Sequence, residues 1–137
     1  MNEPEKNRIV GVISDLLSER VEIVFAYVFG SFVGDANFSD IDIGVFVQGI
    51  PQPASLNLEL QLERQVESLV HIPADVRILN GAPPSFIFQI IKRSRRIVDK
   101  DPNLRAEFEG RILKEYFDFA PFRRRYLEEV GHAPLRS

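Results

Sequence analysis

FGSFVGDANFSDIDIGVFV, residues 29–47, joins two apolar runs through a Gly-Ser pair, a polar loop and two aspartates one residue apart. Upstream, VEIVFAYVF (21–29) is short, β-branched and aromatic, the composition of a central strand. Gly30 and Ser31 end it, VGDANFS (33–39) reads as a turn-rich loop, and DIDIGVFV (40–47) is the next strand. Side chains at i and i+2 of a strand share a face. Asp40 and Asp42 therefore point together, roughly 7 Å apart by strand rise, while Ile41 and Ile43 turn into the core. Two like charges on a half-buried strand cost free energy unless a counter-charge meets them.

Working outward, residues 5–19 place Ile9, Val12, Ile13, Leu16 and Leu17 at helical spacing. GIPQP (49–53) is a break. From Leu56 to Val70 a period of two competes with a helical stripe of Leu58, Leu62, Val66 and Leu69; the unbroken length favours a helix. PADVRIL (73–79) is a third strand, with Ala74, Val76 and Ile78 on one face and Asp75, Arg77 and Leu79 on the other. After the loop NGAPP (80–84), SFIFQIIKR (85–93) reads as a short helix capped by Ser85. RRIVD (95–99) suits a fourth, edge strand. A long helix follows from Asp101, with Pro102 in its first turn and Leu104, Phe108, Ile112 and Tyr116 on one stripe. Pro121 bends or ends it, and the tail from about residue 131 is expected to be flexible. Alternating helices and strands imply an α/β domain: a small sheet of three to four strands covered by helices.

Composition narrows the chemistry. The 137 residues match the usual size of one domain, expected to span 1–137. A net charge of -3 lacks the basic excess of a nucleic-acid binder, so no direct nucleic-acid contact is expected. The absence of cysteine excludes disulfides, zinc-thiolate sites and thiol catalysis. Only His71 and His132 are available to a histidine metal site. Any metal would take oxygen ligands, which favours magnesium, manganese or calcium. No apolar run is long enough to span a membrane, and MNEPEKNR lacks the apolar segment of a signal peptide. A cytoplasmic protein is the expectation.

Asp40 and Asp42 suit a hard divalent cation, and magnesium prefers a few protein ligands together with substrate phosphates. Gly30 lets backbone approach a ligand closely and Ser31 offers a hydroxyl, so the pair suits the phosphates. A strand beside 40–47 would bring Asp75 in as a third carboxylate, to help hold the metal and take a proton from an attacking hydroxyl. That layout serves phosphoryl or nucleotidyl transfer. Each piece is weak alone: most D-x-D pairs are loop or cap aspartates, and His71 reads as a loop residue. The basic runs Lys92, Arg93, Arg95, Arg96 and Arg123, Arg124, Arg125 are either solvated faces or contacts for a triphosphate or an acidic partner.

GSFVGDANFSDIDIGVF resembles the signature of the DNA polymerase beta-like nucleotidyltransferase superfamily: Gly-Ser, a short spacer, then Asp-x-Asp. The stretches VRILNGAPPSFIFQIIKRSRRIVDKD and EYFDFAPFRRRY resemble its minimal nucleotidyltransferase (MNT) branch, so that the likeness covers about residues 20–126. The resemblance implies a mixed sheet carrying Asp40, Asp42 and Asp75 as catalytic and metal-holding residues, with Gly30 and Ser31 on the nucleotide's phosphates. It implies ATP as substrate and Mg2+, or Mn2+, as cofactor. It further implies an antitoxin, paired with a HEPN-domain RNase toxin in a hetero-oligomer, that transfers AMP to a tyrosine of the toxin. The loop departs from the pattern: Phe32, Val33 and Gly34 follow the Gly-Ser, without the basic residue of many relatives and with the glycine one place early. Two other readings stay open. One is a binding module that neutralises the toxin by contact alone, and the other is a transferase acting on a small molecule. The aromatic-rich last helix (Phe108, Tyr116, Phe117, Phe119, Phe122) supplies core and, in part, a surface for an interface.

Overall fold

The run VEIVFAYVF becomes β1, Ile23–Phe29, a strand with both faces covered. In the computed structural model, which describes residues 1–34 and 37–118, Ala26 and Val28 point to one layer and Phe25 and Tyr27 to the other, each at most 1 % exposed. That double burial explains why the run shows no alternation. The sheet has the order β3-β2-β1-β4, with β2 Ile41–Val47, β3 Ala74–Ile78 and β4 Arg95–Asp99. β1 pairs antiparallel with β2 and β4, whereas β2 and β3 are parallel. A parallel pair needs a crossover, and α3, Ser55–Val70, supplies it. The expected mixed sheet thus has four strands, with RRIVD on one edge as expected.

One face of the sheet is covered by α1, Glu3–Ser18, and α3. Ile9, Ile13 and Leu17 of α1 and Leu58, Leu62 and Val66 of α3 pack there on Ile41, Ile43, Val45 and Val76. The other face carries α4, Pro84–Lys92, and α5, Pro102–Asp118, whose Ile87, Ile90, Phe108 and Ile112 cover Phe25, Tyr27 and Leu79. Leu69 departs from its expected place and is 53 % exposed. The row Leu58–Leu62–Val66 advances by four residues, and its next member is Val70, which does pack on the core.

Helix ends follow local chemistry. The Glu5 N–H donates to Asn2 Oδ1 at 2.9 Å and starts α1. The Leu104 N–H donates to Asp101 Oδ1 at 3.1 Å and starts α5, with Pro102 in its first turn. Ser85 is not a cap: α4 begins at Pro84 behind Pro83, with no side-chain cap bond. A proline in the first turn lacks only an N–H that would be unpaired there anyway, so no serine is needed. His71 closes α3 in the left-handed region, φ 58°, its N–H donating to the Glu67 carbonyl at 2.9 Å.

The edge strand β3 does not leave its outer donors bare. The N–H groups of Ala74, Val76 and Ile78 donate to the carboxylates of Glu67, Glu63 and Glu59, each at 2.8 Å. Four residues of helix rise about 6 Å and two residues of strand about 6.6 Å, so the two repeats run in step. Asn80 continues the pairing past the strand: its amide donates to the Val47 carbonyl at 2.8 Å and its Oδ1 accepts the Val47 N–H at 3.0 Å. Among the described residues no helix is long and apolar enough to cross a membrane. Pro121, Arg123, Arg124, Arg125, Phe119, Phe122 and the tail from residue 131 lie outside the described residues.

Candidate active site

The two aspartates sit where β2 begins. Asp40 precedes the strand and Asp42 is its second residue, paired with Phe29 of β1 on one side and with Asp75 of β3 on the other. The parallel register therefore draws the third carboxylate to the first two, as the strand parity suggested. Ile41 and Ile43 are buried in the α1/α3 layer, which turns Asp42 to the opposite face.

Asp42 is half-buried, and its carboxyl holds its proton more tightly than an ordinary aspartate. Burial is the main cause, followed by the negative charges of Asp40 and Asp75; Arg77 opposes them. Gly30 is tied to this carboxylate. It takes φ +78°, and a Cβ there would strike the Asp42 carboxylate. Glycine is thus needed twice, for the backbone turn and for the close approach.

Ser31 opens a short helical turn, α2 Ser31–Gly34, whose last two residues, Val33 and Gly34, fall in the stretch expected to be a turn-rich loop. The turn is held from behind. Phe32 is only 2 % exposed and meets Phe38 edge-on at 4.7 Å, and the Lys6 ammonium stands 5.4 and 5.3 Å from the two ring centres. These contacts pin both ends of the segment between the Gly-Ser pair and Asp40.

Asp75 is engaged otherwise. The Arg77 guanidinium donates to Asp75 Oδ1 at 3.2 Å. Among the described residues, no three His, Cys, Asp or Glu side chains converge closely enough to hold a metal. The donor set nonetheless fits a hard divalent cation. It is all oxygen, and the burial and neighbouring negative charge that raise Asp42's proton affinity are what a cation would offset. A cleft of about 460 Å³ lies on the Gly-Ser side, lined by Gly30, Ser31, Val33, Gly34 and Arg93. A second, of about 640 Å³, runs along Asp75 and Arg77 between α3 and α4, with Leu60 and Phe86 on its walls.

Two participants escaped the sequence reading. Arg77 was legible in principle, because it lies two residues from Asp75 and so shares its face. Lys6 was not: it lies in a charged stretch, and only the packing of α1 on the loop brings it to Phe32 and Phe38. The basic run divides. Arg95 donates to Asn7 Oδ1 at 2.7 Å and Arg96 pairs with Asp99 at 3.5 Å, whereas Arg93 lines the Gly-Ser cleft.

Comparison with known proteins bears on the fold. The chain is similar in structure to a Shewanella oneidensis complex of a tri-AMPylated HEPN toxin with MNT antitoxin, with 20 % identity, TM-score 0.64, and 95 % of this chain and 98 % of that one covered. It is similar to the toxin–antitoxin MntA-HepT at 18 % identity and TM-score 0.61, over 94 % of this chain and 98 % of that one. A toxin–antitoxin structure with AMP-PNP gives 18 % identity and TM-score 0.64, over 95 % and 98 %. At such identities the likeness shows the fold. No curated protein matches the chain in sequence. The family model described as polymerase beta, nucleotidyltransferase matches residues 12–103, a span from α1 to the start of α5 that contains Gly30, Ser31, Asp40, Asp42 and Asp75. By that match the chain belongs to the polymerase beta nucleotidyltransferase family.

Proposed function

We propose that this chain is an antitoxin that transfers AMP from ATP to a tyrosine hydroxyl of a partner HEPN toxin, as a single domain acting in the cytoplasm. One observation carries the reading: the Asp42 carboxylate packs on a glycine of positive φ, beside Asp40 and in register with Asp75. Support comes from the structural neighbours, one of which is a tri-AMPylated HEPN toxin with its MNT antitoxin and another a toxin–antitoxin with AMP-PNP.

In this reading Asp40 and Asp42, with Asp75, would hold magnesium or manganese, which when bound neutralises phosphate charge. Gly30 and Ser31 seat the phosphates. Asp75 takes the proton of the acceptor hydroxyl, whose oxygen bonds to the α-phosphorus as the bond to the β-phosphate oxygen breaks and pyrophosphate leaves. No covalent enzyme intermediate is needed; positioning and electrostatics lower the barrier.

Intact-mass measurement tests this directly. The chain is incubated with the candidate toxin, ATP and magnesium. The toxin should gain one or more AMP units, and Asp40→Ala with Asp42→Ala should abolish the gain while the variant stays folded by circular dichroism. A second reading, neutralisation by contact alone, is favoured by the Asp75–Arg77 ion pair and the absence of a converged three-carboxylate group among the described residues. Tight binding with no mass change, and neutralisation that survives the double substitution, would establish it instead.

A further inference from the structure

We propose that Arg93 is the cation that binds the terminal phosphates of the nucleotide, supplied by the end of α4 to a Gly-Ser loop that has none of its own. The inference rests on the nucleotidyl-transfer reading above. The loop GSFVG, residues 30–34, contains no lysine or arginine, and the carboxylates beside it are acidic. A triphosphate laid across Gly30 and Ser31 would meet like charge at one end and needs a positive charge at the other.

The sheet register provides it. Val28 of β1 pairs antiparallel with Arg95 of β4. Continued two residues, the same register brings Arg93 level with Gly30. On the other side of β1, Phe29 pairs with Asp42. Gly30 therefore has the carboxylates on one flank and Arg93 on the other, and Arg93 lines the same cleft of about 460 Å³ as Gly30 and Ser31. Its backbone is fixed as the C-cap of α4, its N–H donating to the Ile90 carbonyl at 3.2 Å. The side chain is exposed, and among the described residues it makes no ion pair.

Three of the neighbouring cations are engaged elsewhere. Arg95 donates to Asn7, Arg96 pairs with Asp99, and Arg77 pairs with Asp75. The order Asp42, Gly30, Arg93 places the reacting α-phosphate at the carboxylates and the β- and γ-phosphates at the guanidinium, whose planar fork suits phosphate oxygens. Arg93 thus distinguishes ATP from AMP and steadies the departing pyrophosphate.

Calorimetric titration of ATP with magnesium, and separately of AMP, into the full chain tests this. Arg93→Ala should weaken ATP binding about tenfold or more, the scale of a lost charge-assisted hydrogen bond, and change AMP binding less than about twofold. Arg93→Lys should recover part of the loss. Lys92→Ala, one residue away, should change neither affinity. A wild-type chain that binds ATP with Arg93→Ala within twofold of it overturns the role of Arg93 and leaves the transfer reading standing. Equal losses for ATP and AMP overturn it too, because they would mark a merely structural residue. A folded wild-type chain that binds no nucleotide overturns both readings together.

Discussion

Two sets of three carboxylates flank the β2–β3 edge of the sheet, and their surroundings are opposite. Glu59, Glu63 and Glu67 each accept a backbone N–H at 2.8 Å, so their charge is spent on the strand edge. Asp40 and Asp42 lie at the start of β2 with Asp75 in register beside Asp42, and burial first, then the charges of Asp40 and Asp75, raises the proton affinity of Asp42. A carboxylate that faces donors is part of the scaffold, because it replaces the water that a bare edge strand would need. A carboxylate that faces other carboxylates is costly until a cation arrives. The chain thus holds carboxylates in two settings: the glutamates accept strand N–H groups, and the aspartates stand near one another at the end of the sheet. Asp75 stands between the two classes, since Arg77 already offsets its charge.

Substitutions can break this contrast from both sides. The largest effect is expected at Asp75. Asp75→Asn keeps the shape and removes the proposed base, and transfer measured by intact mass should fall roughly 10²- to 10⁴-fold with the fold unchanged. Wild-type turnover in that variant would remove Asp75 from the reacting set. Glu63→Ala should do the reverse. It leaves the Val76 N–H unpaired and should lower unfolding free energy by about 1–3 kcal/mol in urea titration, while Glu63→Gln, which keeps an acceptor, loses less. If Glu63→Ala were as stable as wild type, the ladder would be incidental.

The smallest effect concerns Asp42 and pH. Its carboxyl is raised in the folded chain, so the folded state binds that proton more tightly than the unfolded state. The stabilisation this gives is complete below the unfolded value of 3.8 and is lost as pH rises through the raised folded value. Asp42→Asn removes a partly buried charge and its repulsion from Asp40 and Asp75, and should make the apo chain more stable than wild type at neutral pH, by less than about 1 kcal/mol given the partial exposure. The gap should close toward pH 4. Added magnesium should raise the melting temperature of wild type and not of the variant. A difference that grows toward acid would reverse the sign and count against crowding at Asp42.

Much of the scaffold was legible because apolar patterning has a short range. VEIVFAYVF and DIDIGVFV are bounded by glycine, serine and a polar loop, and they became β1 and β2 within two residues of the expected ends. The shared face of Asp40 and Asp42 followed from strand parity alone. Ser85 was misread because a serine near a helix start resembles a cap, and the two prolines before it do that work by conformation. Leu69 was misread because the stripe was advanced by three residues where the packed row advances by four, to Val70. The glutamate spacing at 59, 63 and 67 was visible, yet its purpose depends on a strand running antiparallel beside the helix.

The sequence by itself determined the alternation of helices and strands, the buried strands and the spacing along the chain of Gly30, Ser31, Asp40, Asp42 and Asp75, the residues proposed for the site. Those depend on local periodicity and on residue chemistry, which neighbours along the chain express. Tertiary structure alone decided that Asp75 pairs with Asp42, that the Asp42 carboxylate closes over Gly30, and that Arg93 rather than Arg95 or Arg96 faces the Gly-Ser cleft. Each of these is set by strand order and register, and register is fixed by side chains far apart in the sequence that share one core.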